Sequence, residues 1–189
     1  MMMTPIILRN VIQCTVCKTI LESTEMHDMA ICPCPEETRV SAYGGRYYLQ
    51  RFGNNWEEQS ETRDISHLTD TINDITSHNG NGYEVLQAEK GWWEHIAQCH
   101  TELKRIDPKY RIIQIKQKFG GLRYYFTTEL GPETVELMHE IVRKYEKRLD
   151  TVCELTGLEG QQYKTATGWY TVRNPQHAPK DAKPVQQTE

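Results

Sequence analysis

The sequence predicts an α+β protein: an N-terminal zinc-ribbon-like β unit followed by a helix–β-hairpin–helix unit. Three observations carry this expectation. Cys14 and Cys17 are answered by Cys32 and Cys34 across a loop, residues 18–31. Apolar residues recur at helical spacing over 91–107 and again over 132–150. Between those stretches, residues 111–127 alternate around Gly120 and Gly121, the pattern of a hairpin.

The cysteines set the first unit, residues 1–60. A Cys-x2-Cys turn offers two thiolates from one tight knuckle, and zinc takes four such donors in a tetrahedron. Cys32 and Cys34 are only one residue apart, in a turn stiffened by Pro33 and Pro35. The expected ligands of one structural zinc ion are therefore Cys14, Cys17, Cys32 and Cys34, with His27 as an alternative to one thiolate. Four protein ligands leave no open position for catalysis. Short strands are expected at Ile6 to Leu8, at Arg39 to Tyr43 and at Tyr47 to Phe52, around that site. A module this small leans on its metal for stability.

Residues 61–90 read as a short helix and a linker. Ile65, Leu68, Ile72 and Ile75 fall on one helical face, with Asp64 as cap, and residues 77–82 carry loop signals. The third segment, 91–177, starts with a helix whose stripe is Trp92, Ile96, Cys99, Leu103 and Ile106. Pro108 stops it. In the hairpin, Ile113, Ile115, Phe119, Leu122, Tyr124 and Phe126 make the apolar face. Lys116, Lys118, Arg123 and Tyr125 make the other. The last helix buries Val135, Met138, Val142, Tyr145 and Leu149 and presents Arg143 and Lys147. Residues 178–189 are polar and proline-containing, and read as a disordered tail.

Two resemblances follow from these motifs. Cys14 and Cys17, Leu21 to Ser23, His27 and Asp28, Cys32 and Cys34, and Gly44 to Arg51 resemble a family of small, uncharacterised phage and bacterial proteins. There a cysteine pair, Ile-x-Ser, His-Asp, a second cysteine pair and Gly-Gly-x-x-Tyr-x-x-Arg follow in the same order. The likeness covers about 10–53 and implies metal binding with no known activity. Residues 91–177 resemble an uncharacterised phage family with a tryptophan-bearing helix, a Lys-x-Lys-Phe-Gly-x-Leu-Arg core and a C-terminal zinc ribbon. Here these are Trp92 and Trp93, Lys116 to Arg123, and Cys153, Gly168, Trp169 and His177. Thr156 and Asn174 stand where that family implies cysteines. The second ribbon is therefore expected to lack metal and to be held by packing around Trp169.

Composition narrows the function classes. The net charge is −4 over 189 residues, which gives no global pull toward nucleic acid. No stretch approaches the ~20 apolar residues of a membrane span. No signal peptide is legible at the N-terminus, so a cytoplasmic location is expected, the host cytoplasm if the chain is phage-encoded. Phosphate loops, Ser-His-Asp order and His-Glu-x-x-His are absent, and a non-enzymatic protein is expected. The leading expectation is a protein that engages a host or phage protein, with Tyr43, Tyr47 and Tyr48 at the interface. The alternative is nucleic-acid contact through Lys116, Lys118, Arg123, Tyr125, Arg143 and Lys147.

Overall fold

The computed structural model describes residues 3–78 and 84–185. The fold is α+β, and the chain divides into two compact units with the boundary between Ile65 and Ser66.

The first unit is all strand and turn. Its strands are β1 (Ile6–Arg9), β2 (Val11–Cys14), β3 (Ile20–Glu22), β4 (Ala30–Ile31), β5 (Ser41–Tyr43), β6 (Gln50–Phe52), β7 (Trp56–Glu58) and β8 (Glu61–Arg63). They form three small antiparallel sheets, ordered β3-β2-β7, β4-β5-β6 and β1-β8. Glu61–Arg63, which the sequence placed with the linker, pairs here with β1. The core is Ile12, Leu21, Val40 and Ala42 around three of the cysteines, with Ala30 and Trp56 packed against it. This is a small core for the 63 residues of Met3–Ile65, with Ile6, Ile7 and Val11 buried besides. The aromatic strand expected from Tyr47 shortens to Gln50–Phe52, because Tyr47 and Tyr48 donate their N–H groups back to Gly44 O in a turn.

The second unit holds α1 (Thr69–Ser77), β9 (Leu86–Gln87), α2 (Trp93–Ile106), β10 (Arg111–Lys118), β11 (Gly121–Thr127), α3 (Pro132–Leu149), β12 (Gln161–Lys164), β13 (Tyr170–Arg173) and β14 (Lys183–Pro184). Helix α1 emerges from a 3₁₀ turn, Ser66–Leu68, and Leu68 at its own N-cap offers no side-chain hydrogen bond. Its expected stripe of Ile65, Leu68, Ile72 and Ile75 is buried. The loop read over 77–82 falls mostly on 79–83, outside the described residues. Helix α2 buries its stripe from Trp92 to Leu103 and packs on α1 and α3. Asp107 is extended at φ −132°, as the residue before a proline must be.

The hairpin corrects the sequence reading at both ends. A bulge between Ile112 and Gln114 turns Ile113 out of the apolar face, and Ile112 takes its place. Lys118 pairs with Gly121, so the two-residue turn is Phe119-Gly120, with φ of 55° and 75°. Phe119 is thus a turn residue exposed to solvent. Leu86 and Gln87 add a parallel strand on β10.

The second correction concerns the C-terminal hairpin β12–β13. Trp169, expected at its centre, is exposed, and the interior is Val152, Cys153, Thr156, Tyr163 and Val172. Part of the expected tail is also ordered, since Lys183–Pro184 pairs with β12 and Val185 N–H donates to Gln162 O. Residues 186–189 lie outside the described residues. Among the described residues, no helix is long and apolar enough to cross a membrane.

Candidate metal centre

The two knuckles are built by backbone hydrogen bonds before any metal is considered. Lys18 N–H donates to Cys14 O at 2.9 Å and Cys14 N–H donates to Thr19 O at 3.0 Å. The chain closes this turn with Lys18 in the left-handed region at φ 62°. On the other side, Cys32 N–H donates to Val40 O at 3.1 Å, and Val40 N–H donates to Cys32 Sγ at 3.3 Å. Arg39 Nε holds Cys34 O at 3.1 Å.

These turns bring the Sγ atoms of Cys14, Cys17, Cys32 and Cys34 within 4.8 Å of one another. Cys14 Sγ and Cys34 Sγ are 3.8 Å apart. A tetrahedron of thiolates about 2.3 Å from its centre has edges of ~3.8 Å, so the cluster fits one metal ion. The same distance is far beyond a disulfide bond, and all six cysteines of the chain are free thiols. Among the described residues, no other group of three or more His, Cys, Asp or Glu side chains is placed to hold a metal.

Thr19, through its hydroxyl and its N–H, lowers Cys17 to about 6. At Cys32 burial opposes ionisation, but the N–H groups of Val40 and Cys34 prevail and the thiol is lowered. Burial, then the neighbouring thiols, push Cys34 up to about 12. Hydrogen bonds and burial set this division, and a divalent ion at the centre would favour the thiolate form of all four. Cys14, Cys32 and Cys34 are buried while Cys17 is exposed, so the site has one wet corner.

His27 is outside the cluster. It is exposed, and its Nδ1 shares a hydrogen bond with Tyr43 Oη at 3.1 Å. Asp28 accepts from Thr24 N–H and Thr24 Oγ1, which closes its own loop. The other motif residues of this unit form a polar clasp that sequence periodicity does not reveal. Asn10 is fully buried. Its amide donates to the carbonyls of Tyr43, Gly45 and Tyr48, and its Oδ1 accepts from Arg51 at 2.7 Å. Ser23 Oγ donates to Asp28 O and accepts from Gly45 N–H. Gly45 sits at φ 53°, where a β-carbon would lie 2.5 Å from the Glu25 backbone. The two loops approach too closely there for any side chain.

The remaining predicted site residues fall on two surfaces. In the first unit Tyr43 and Tyr48 stack edge to face at 5.9 Å, and Tyr47 and Tyr48 are exposed. In the second unit Lys116 pairs across the hairpin with Arg123, and Lys116 Nζ sits 5.7 Å from the Tyr125 ring centre. Lys118 sits over Phe119 instead. Arg123, Arg143 and Lys147 line one cleft between the hairpin and α3, together with Glu146 and Asp150.

A second knuckle has the same backbone as the first. Gly157 N–H donates to Cys153 O and Cys153 N–H donates to Leu158 O, both at 2.8 Å, with Gly157 at φ 69°. Thr156 occupies the place that Cys17 holds in the first knuckle, and it is fully buried. Asn174 is a helix cap: its Oδ1 accepts from Gln176 N–H.

One buried polar chain links α1, α2 and the hairpin of the second unit. His100 lies between Asp74 Oδ2, 2.8 Å from Nε2, and Tyr110 Oη, which in turn meets Tyr124 Oη at 2.8 Å. Burial raises both phenols above their ordinary range. Burial also lowers His100 below 6.5, against the pull of Asp74, and lowers His78 beside it. The neutral ring is the folded form. The unfolded chain takes up a proton first, so stability is complete above about pH 6.5 and falls as pH drops below it. Denaturant midpoints of the second unit are expected to decrease between about pH 7 and pH 5. His100→Gln, which keeps a donor for Asp74 and an acceptor for Tyr110, should flatten that slope. An unchanged slope would assign it elsewhere.

A family model described as a domain of unknown function, DUF7695, matches residues 6–53. The match takes in both knuckles and the Asn10–Ser23–Gly45–Arg51 clasp, and stops short of β7 and β8. No curated protein and no solved structure matches the chain.

Proposed function

We propose that this chain is a non-enzymatic zinc-binding protein that engages a protein partner, of host or phage origin, through the outer face of the sheet β4-β5-β6. The observation that carries the reading is the composition of that face. Ile31, Ser41 and Phe52 are in register across the three strands, and Tyr43 lies two residues along from Ser41. On the inner face, Ala30 and Ala42 pack on the cysteine core. On the outer face Ile31 is 51% and Phe52 43% exposed, while Ser41 between them is 5% exposed. The result is two exposed apolar side chains on either side of a covered serine, on a small sheet, with Tyr48 packed at its Tyr43 end. Aromatic and aliphatic anchors presented this way are what protein interfaces are built from.

Zinc is the metal that fits the proposal best, because an all-thiolate tetrahedral site selects zinc or iron–sulfur chemistry and the four donors leave no coordination position for a substrate. The test is capture of a partner by the tagged full chain from bacterial lysate treated with nuclease. A stoichiometric protein should co-purify with the native chain. It should be lost from the double variant Ile31→Asp, Phe52→Asp, which retains one metal ion per chain. A partner held equally by that variant would sink the reading.

A further inference from the structure

The turns of the two hairpins in the second unit present Phe119 and Trp169 to solvent. The β10–β11 turn has both central residues at positive φ, the geometry that Asn-Gly or Gly-Gly adopts without strain. Phenylalanine at φ 55° is strained, and the ring is not rewarded by burial, since Phe119 is 66% exposed. The β12–β13 turn closes by Gly168 N–H donating to Thr165 O, and it projects Trp169, 62% exposed. Tyr170 follows, its ring edge-on to Phe119 at 6.5 Å.

The turns are locked to each other reciprocally. Gln117 of the first hairpin donates to Tyr170 O of the second, and Gln162 of the second donates to Phe119 O of the first. The aromatic set is therefore held on a fixed frame. Lysines accompany the rings: Lys118 Nζ is 5.4 Å from the Phe119 ring centre and Lys164 Nζ is 5.0 Å from that of Tyr170. A cleft of about 350 Å³ runs from Phe119 to α3. In it Glu146 and Asp150 face Arg123, and Asp150 also faces Lys147, so cations and carboxylates share the cleft.

We propose that this platform binds single-stranded nucleic acid, with bases stacking on Phe119 and Trp169 and phosphates on Lys118, Lys164 and Lys147. Unstacked bases need exposed rings, and phosphates need cations between them. A duplex keeps its bases stacked on one another and offers these rings no partner. A protein partner is disfavoured because lysine is depleted from interface cores, whereas here it lies against the rings. The surface is separate from the sheet face of the first unit and stands on different residues.

The experiment is fluorescence anisotropy of the full chain with labelled oligo-dT, with oligo-rU, and with a duplex of equal length, each at several salt concentrations. Single strands should bind in preference to the duplex, with affinity falling as salt rises. The dT and rU arms separate DNA from RNA. Phe119→Asn restores the favoured turn pair, so thermal stability should hold or rise while affinity falls about tenfold. Trp169→Ala should cost a similar factor without unfolding the chain. Absence of single-strand binding at low salt, equal binding of the duplex, or affinity unmoved by both variants would overturn the assignment. So would capture of a protein that Phe119→Asn releases when no oligonucleotide binds.

Discussion

Replacing Cys14 by serine is expected to release the metal and unfold residues 3–65 while leaving the second unit folded. Cys14 is fully buried, at the end of β2, with its sulfur 3.8 Å from that of Cys34. The energetics decide the outcome. A structural zinc ion contributes on the order of 10–16 kcal/mol to small zinc-bound folds at neutral pH. An ordinary domain has only about 5–15 kcal/mol in total. The hydrocarbon core here is a handful of side chains wrapped around the cysteines themselves. Without the ion, three buried thiols and the exposed Cys17 crowd together, with Cys17 and Cys32 lowered and Cys34 raised. Chelation should reproduce the effect, and acidification should as well, since protons compete for the thiolates. Cys17→Ser should be milder, because that corner is exposed and water can take the vacated position. The measurements are metal released per chain to a chromogenic chelator and amide spectra of the two units. A chain that purifies without metal and still shows a folded first unit would refute the assignment.

Much of this site was legible in the sequence, because two cysteine pairs at short spacing can converge without help from the rest of the chain. The tight Cys32-Pro33-Cys34 spacing, which left His27 as an alternative ligand, places both sulfurs in the cluster. The stripes of α2 and α3 were also legible, since burial of a helix face writes itself at a period of 3.6. What the sequence concealed has a physical reason in each case. The bulge after Ile112 adds one residue to a strand, and one residue inverts every side chain beyond it. The clasp of Asn10 and Arg51 joins loops 41 residues apart through side-chain amide and guanidinium groups, which carry no periodicity. The row Ile31–Ser41–Phe52 exists only once three strands are set in register. Trp169 and Trp92 are the same residue type, and only the fold assigns one to solvent and the other to the interior.

That last distinction has the second large consequence: Trp92→Ala should strongly destabilise the second unit, and Trp169→Ala should barely change its stability. Trp92 is fully buried, and its indole N–H donates to Val152 O at 2.7 Å. The preceding residue, Gly91, donates its N–H to Glu154 O at 2.7 Å. Two consecutive residues thus grip the carbonyls on either side of Cys153, in the knuckle whose second ligand position is Thr156. Glu154 completes the grip from within, accepting from Val172 N–H and Thr171 Oγ1. Packing and hydrogen bonds do here what a metal would do in the first knuckle. Removing a buried tryptophan side chain costs about 3–5 kcal/mol, a large part of a domain's stability, and should lower the melting temperature on the order of 10–20 °C. Trp92→Phe keeps most of the volume but leaves Val152 O without its donor, for about 1–3 kcal/mol. Gly91→Ala tests the same contact from the backbone side. Its β-carbon would lie 2.3 Å from Glu154 O and 2.4 Å from Cys153 O, so the knuckle must move away. None of these changes touches a cysteine of the metal cluster, so metal content should stay at one ion per chain throughout. Calorimetry of the full chain reads all four variants. A second unit that tolerates Trp92→Ala and melts early with Trp169→Ala would show that the knuckle is held from its solvent side instead.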